Sequence, residues 1–145
     1  MSVLVDTNVL LRSLHPGHAH YAASASSVAA LRLRNEVLCL APQTLIEFWA
    51  VATRPRDDNG LGLSTGRVAA EIATLRRLFR LLPSSPEVFE TWQRIVTTHS
   101  VQGKQTHDAH LVAIMQVHSV ASILTFNAAH FTRFPGIFVL NPANI

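Results

Sequence analysis

The stretch Ser2-Val-Leu-Val-Asp6-Thr-Asn-Val-Leu-Leu-Arg12 decides the fold. Ser2–Val5 reads as a short apolar strand, and Asp6 closes it. Asp, Thr and Asn in succession are good helix-capping residues, so one role for Asp6 is to cap the segment that follows. Working outward, Val37–Ala41, Ser122–Thr125 and Ile137–Leu140 also read as short strands. Between them lie helical patterns: His20–Asn35, a helix opened by Pro42 and running to about Thr53, and one capped by Ser64 and running to about Arg80. A further helix starts after Ser84 or Ser85 and runs to about Thr98. Thr106–Val117 follows, with Leu111, Ile114 and Met115 at helical spacing. Short apolar strands alternating with helices predict an α/β fold, a three-layer α/β/α sandwich around a central parallel sheet. Such sheets bind ligands beyond the carboxyl ends of their strands, near the switch in strand order. Polar residues at strand ends are therefore the first candidates for function.

The bulk numbers set bounds. The chain has 145 residues, 48% hydrophobic and 14% charged, which predicts a single domain over 1–145 with a real core. No apolar run approaches the roughly 20 residues needed to span a bilayer, and the N-terminus lacks the basic region of a signal peptide. The one cysteine, Cys39, sits in an apolar run and reads as a buried thiol. These features suit a cytoplasmic protein. Lys plus Arg is 12 against 9 for Asp plus Glu, and all the basic residues except Lys104 are arginine. Arginine binds phosphate and carboxylate in bidentate fashion, so an anionic partner fits, either nucleic acid or an acidic protein.

Three acids stand at element boundaries in apolar surroundings. Asp6 ends the first strand. Glu47 lies in Pro42-Gln-Thr-Leu-Ile-Glu-Phe-Trp-Ala-Val-Ala, a helix that looks largely buried. A lone glutamate there is costly unless paired, with a metal or with an arginine such as Arg54. Asp108 opens an apolar helix and shares a face with Leu111, Val112 and Met115, which turns it toward the sheet. Carboxylates brought together repel one another, and a hard divalent cation such as Mg²⁺ or Mn²⁺ relieves that repulsion. The chemistry expected of such a site is metal-activated water attacking a phosphodiester.

Other features are less directive. His15, His18 and His20 form the densest histidine cluster, but their spacing matches no zinc pattern, and a surface loop explains them better. Asp6-Thr7-Asn8 has an amide where a phosphatase nucleophile strand would need its second acid. No phosphate-binding glycine loop is present. Arg76, Arg77 and Arg80 read as a stripe on one helix, and Trp49 and Trp92 as core or dimer residues.

Val-Asp6-Thr7-Asn8-Val-Leu-Leu, Glu47 after the second strand, His107-Asp108-Ala109 and the ending Leu124-Thr125-Phe126-Asn127-Ala-Ala-His-Phe131 together resemble the PIN domain. The resemblance covers the whole chain and is nearest to VapC-type toxins of toxin–antitoxin pairs. It implies Mg²⁺- or Mn²⁺-dependent RNA cleavage, a homodimer, and a cognate antitoxin that blocks the site. It also implies Asp6, Glu47 and Asp108 as the catalytic and metal-binding triad, with Asn8 and Thr125 as supporting residues. Asn127 stands where a fourth acid is often found, which favours one ion over two. The same departure keeps open a catalytically degenerate PIN domain that binds RNA or protein without cutting. Arg54, Arg56 and His107 are candidates to hold substrate phosphates.

Overall fold

A computed structural model describes residues 1–145. Five strands form one sheet: β1 (Ser2–Val5), β2 (Val37–Leu40), β3 (Arg80–Leu81), β4 (Ser122–Leu124) and β5 (Phe138–Leu140). All neighbouring pairs are parallel, in the order β3-β2-β1-β4-β5. The helices are α1 (Thr7–Arg12), α2 (Tyr21–Leu33), α3 (Pro42–Thr53), α4 (Thr65–Leu78), α5 (Pro86–Thr98) and α6 (Gln105–Val117).

The strands alternate sides, as a pleated backbone requires. Val3, Val5, Leu38, Leu40 and Leu124 face one layer, where they pack with Val9 and Leu10 of α1, Leu31 of α2, Phe48 of α3 and Val68 of α4. Leu4, Cys39 and Ile123 face the other, against Val88 and Ile95 of α5 and Leu111 to Met115 of α6. The result is the expected three-layer α/β/α sandwich with a parallel sheet buried on both faces. Cys39 is fully buried, and burial raises its thiol pKa.

Two expectations need correction. The helix opened by Ser64 does accept its cap, Ser64 Oγ taking the Arg67 N–H at 3.1 Å, but it ends at Leu78. Arg80 belongs to β3, where it pairs with Cys39, so Arg76 and Arg80 do not share a helix face. A strand of two residues has no periodicity to betray it, and the helical pattern of the sequence continues through it. The α3 helix is also only half buried: Ile46 is 70% and Trp49 38% exposed. Its apolar residues cover more than the face that meets the sheet, so Trp49 is no core residue.

The loop after α3 holds a single turn of 3-10 helix, Arg56–Asp58, and folds back on itself. Gly60 N–H donates to Pro55 O, and a Cβ on Gly60 would lie 2.0 Å from Arg54 O. Only glycine allows that approach of two backbone segments.

Candidate active site

From β1 the chain proceeds outward to β2 and β3, then crosses back to β4 on the other side of β1. The carboxyl ends of β1 and β4 are therefore the switch point where a crevice opens. Asp6 follows the last residue of β1, and Thr125 the last residue of β4.

Asp6 is 8% exposed and held at both oxygens. Its Oδ1 accepts the Thr7 N–H at 2.8 Å, so it does cap α1. Its Oδ2 accepts the Thr125 hydroxyl at 2.7 Å and, more weakly, the Asn8 amide at 3.4 Å. Thr125 in turn accepts from Asn8 Nδ2 at 3.2 Å and from Asn127 N–H at 3.0 Å. Asn8 Oδ1 takes the Phe126 N–H at 3.3 Å. Capping and site-building are thus one arrangement: the cap orients the carboxylate, and the residues after β4 lock it.

Glu47 reaches the same edge from the second turn of α3. Its Oε2 accepts the Thr7 hydroxyl at 3.1 Å, and its Oε1 the Gln43 amide at 3.1 Å. The alternative pairing with an arginine does not occur; Arg54 forms no ion pair. Gln43 also donates to the His107 carbonyl at 3.0 Å and bonds His110 Nδ1 through Oε1, which ties α3 to the first turns of α6. Burial lowers the His110 pKa, with repulsion from His107 adding to it. The neutral ring then donates from Nδ1 to the Gln43 oxygen.

Asp108 lies in the first turn of α6, with its side chain 22% exposed and Oδ2 3.5 Å from His130 Nδ1. An anion there is favoured by the helix dipole. The pKa values of Asp6 and Asp108 are both raised. Burial is the main cause in each. Thr125 and the Thr7 N–H oppose it at Asp6, and His130 at Asp108; repulsion from Glu47 adds to it at both, and Asp6 also acts on Asp108. The acids are close enough to feel one another and are short of positive charge.

The donor set is all oxygen and carries up to three negative charges, the chemistry of a hard divalent cation. No three ligating side chains stand close enough to enclose an ion alone. That fits Mg²⁺, which keeps several waters and takes only one or two carboxylates directly. Asn127 is exposed and precedes the short turn Ala128–His130 without a side-chain cap bond; its backbone rather than its amide joins the network.

Three residues were not singled out from sequence. Thr7 bridges Asp6 and Glu47 through its N–H and its hydroxyl, Gln43 fixes Glu47, and His130 faces Asp108. The first two carry no charge, and His130 meets Asp108 only through the tertiary fold. Arg54 and Arg56 lie at and beyond the end of α3. Arg54 is seven positions past Glu47, about 10 Å along a helix axis, so neither borders the acids directly. His107 is exposed beside Asp108 and lines a cleft of about 630 Å³ with Gln43, Glu47, Phe89 and Trp92.

A family model described as the PIN domain matches residues 3–137. No curated protein sequence matches the chain. Among solved structures, VapBC2 from Rickettsia felis, bound to a DNA fragment from the promoter, aligns with a TM-score of 0.72 at 13% identity, covering 97% of this chain and 98% of that one. FitAcB from Neisseria gonorrhoeae aligns at 0.70 and 21% identity over 100% of both chains. VapC20 from Mycobacterium tuberculosis, described as a sarcin-ricin loop cleaving toxin, aligns at 0.61 and 18% identity, covering 83% of this chain and 86% of that one. At these identities the likeness is one of fold.

Proposed function

This chain belongs to the PIN domain family, and on that premise we propose that it is a Mg²⁺- or Mn²⁺-dependent endoribonuclease, the toxin of a toxin–antitoxin pair. The observation that carries the reading is the oriented acid cluster: Asp6, Glu47 and Asp108, each held by a neighbour and two of them with raised pKa values.

When bound, a divalent ion supplies a water acidic enough to attack a phosphodiester and positive charge against the phosphate. The chain's own part is to aim its ligands. Asp6 cannot rotate without losing the Thr7 and Thr125 bonds. Glu47 is held between Thr7 and Gln43, and His130 limits Asp108. With three acids rather than four, less cation charge is needed, which favours one ion per site. Asn8, Thr125 and the Asn127 backbone support Asp6 from the second layer.

The toxin–antitoxin assemblies among the structural neighbours support an antitoxin partner. No helix is long and apolar enough to cross a membrane, and we place the activity on cytoplasmic RNA, carried by residues 1–145 as one domain. A homodimer would bury the exposed apolar face formed by Ile46 and Trp49 of α3 and Phe89 of α5.

Purified protein should cut RNA with Mg²⁺ or Mn²⁺ and not in EDTA, and Asp6→Asn or Asp108→Asn should abolish cutting with the fold intact. Full activity in both variants would sink the site assignment. Asn127, an amide where a fourth acid is often found, is the feature behind a second reading, a PIN domain that binds RNA or protein without cutting. Calorimetric titration with Mn²⁺ separates the two; no heat at millimolar metal favours the second.

A further inference from the structure

The loop between α1 and α2 carries His15, His18 and His20, and nothing in the acid site accounts for them. Their rings form a continuous series. His15 and His18 have centroids 5.3 Å apart, and His18 and His20 5.2 Å apart. His20 then stacks on Phe126, with centroids 4.1 Å apart and planes 9° from parallel. Phe126 is the residue after Thr125, which holds Asp6. The histidine series therefore starts at the rim of the acid site and leads away from it. At its far end Arg12 Nη1 lies 3.4 Å from His15 Nδ1, and His15 and Arg56 line one cleft of about 410 Å³.

The hydrogen bonds say what this series offers. Arginine only donates, so His15 Nδ1 accepts and its proton sits on Nε2. His18 Nδ1 accepts the His20 N–H at 3.0 Å, so its proton also sits on Nε2. Neither Nε2 has a partner within the chain, and neither Arg12 nor Arg56 forms an ion pair. No carboxylate is among the groups that act on His18; those are Arg12, His20 and His15. Asp57 and Asp58 follow Arg56 in its own turn and pair with neither Arg12 nor Arg56. With Nδ1 of two rings already engaged, the cluster does not converge on a cation. It presents unpaired Nε2 donors beside the positive charge of Arg12 and Arg56, which together suit a row of anions.

We propose that His15, His18 and His20, with Arg12 and Arg56, bind the phosphodiester backbone of the RNA strand where it leaves the acid site. The assignment rests on the nuclease reading. RNA is favoured over an acidic protein segment because the series is continuous with the acid site through Phe126 and offers ring edges and faces at a spacing that a single strand can follow.

The test uses a fluorescein-labelled single-stranded oligoribonucleotide in EDTA, with binding followed by anisotropy across a salt series. Wild type should bind. Arg12→Gln should weaken binding and lower the slope of log K against log salt by about 0.7 for each phosphate no longer neutralised. His15→Gln with His18→Gln should weaken it further, and His18→Lys should preserve it, which a merely structural role would not. With Mn²⁺, the double Gln variant should raise KM and leave kcat unchanged. If wild type binds and cuts RNA while the Gln variants match its affinity and slope, the track is overturned and the nuclease reading stands. If wild type neither binds nor cuts, both fail. If poly-glutamate binds the loop more tightly than RNA and the variants leave KM unchanged, the RNA assignment is overturned.

Discussion

The Thr125 hydroxyl donates to Asp6 Oδ2 across 2.7 Å, joining the ends of β4 and β1 at the switch in strand order. The Thr125 hydroxyl oxygen itself accepts from Asn8 Nδ2 and Asn127 N–H. Its one proton and both lone pairs are thus in use, and Thr125 cannot serve Asp6 in any other orientation.

Thr125→Val keeps the shape and removes the hydroxyl. Asp6 keeps its cap to Thr7 but loses its aim. Loss of such a supporting bond costs about 10- to 100-fold in metal affinity or activity, and leaving the buried Asp6 Oδ2 without its hydroxyl donor costs about 1–3 kcal/mol of stability. Mn²⁺ calorimetry, cleavage rate and thermal unfolding should show all three losses in a folded protein.

The raised carboxylates give a pH dependence with a definite sign. Asp6 and Asp108 have folded pKa values above the ordinary 3.8, chiefly because burial disfavours their charge. The folded chain then holds these protons more tightly than the unfolded chain. Their stabilising contribution is full below about pH 3.8 and is lost as pH rises through the raised values. In EDTA, Asp108→Asn should therefore unfold at a higher temperature than wild type at neutral pH. The gap should close toward about pH 4, near the ordinary aspartate value, and also in saturating Mn²⁺, which stabilises wild type by binding it. An unchanged melting temperature at neutral pH in EDTA would contradict the shift.

Gln43 joins Glu47 to α6 through bonds to Glu47 Oε1, the His107 carbonyl and His110. Gln43→Leu fills similar space without donors. Cleavage should fall by about 10- to 100-fold, as for other supporting residues, with most of the loss in kcat. The melting temperature should change little, because Gln43 is partly exposed and its partners can turn to water. Single-turnover rates separate this from weaker RNA binding.

Ile46 is 70% exposed and stands beside Trp49, while Phe89 is 52% exposed on α5. A charge there should break the proposed dimer. Ile46→Asp should run as a monomer in light scattering at concentrations where wild type is dimeric, with the monomer's secondary structure unchanged. A wild type that is monomeric at tens of micromolar would refute the dimer.

Local sequence determined a good deal. Apolar runs of a few residues between helical patterns dictated a parallel sheet buried on both sides, because only helices on both faces can cover such strands. Ser64 as a cap, and Asp6 at a strand end, followed from short-range chemistry alone. The sequence also marked Asp6, Glu47 and Asp108 as acids set in apolar surroundings, since an unpaired charge there is costly. What only the tertiary structure decided is how they are held. The order in which strands lie side by side put Thr125 against Asp6 and carried His130, in the turn after β4, to Asp108, and the packing of α1 on α3 put Thr7 against Glu47. Neutral hydrogen-bonding residues leave no mark in hydropathy, so Thr7 was silent until Glu47 reached it; Gln43 stands one helical turn before Glu47, but its bonds to His107 and His110 needed α6 in place. The two-residue β3 and the exposed side of α3 escaped for a related reason. Pairing and burial are properties of neighbours distant in the chain, and no local pattern encodes which neighbours those will be.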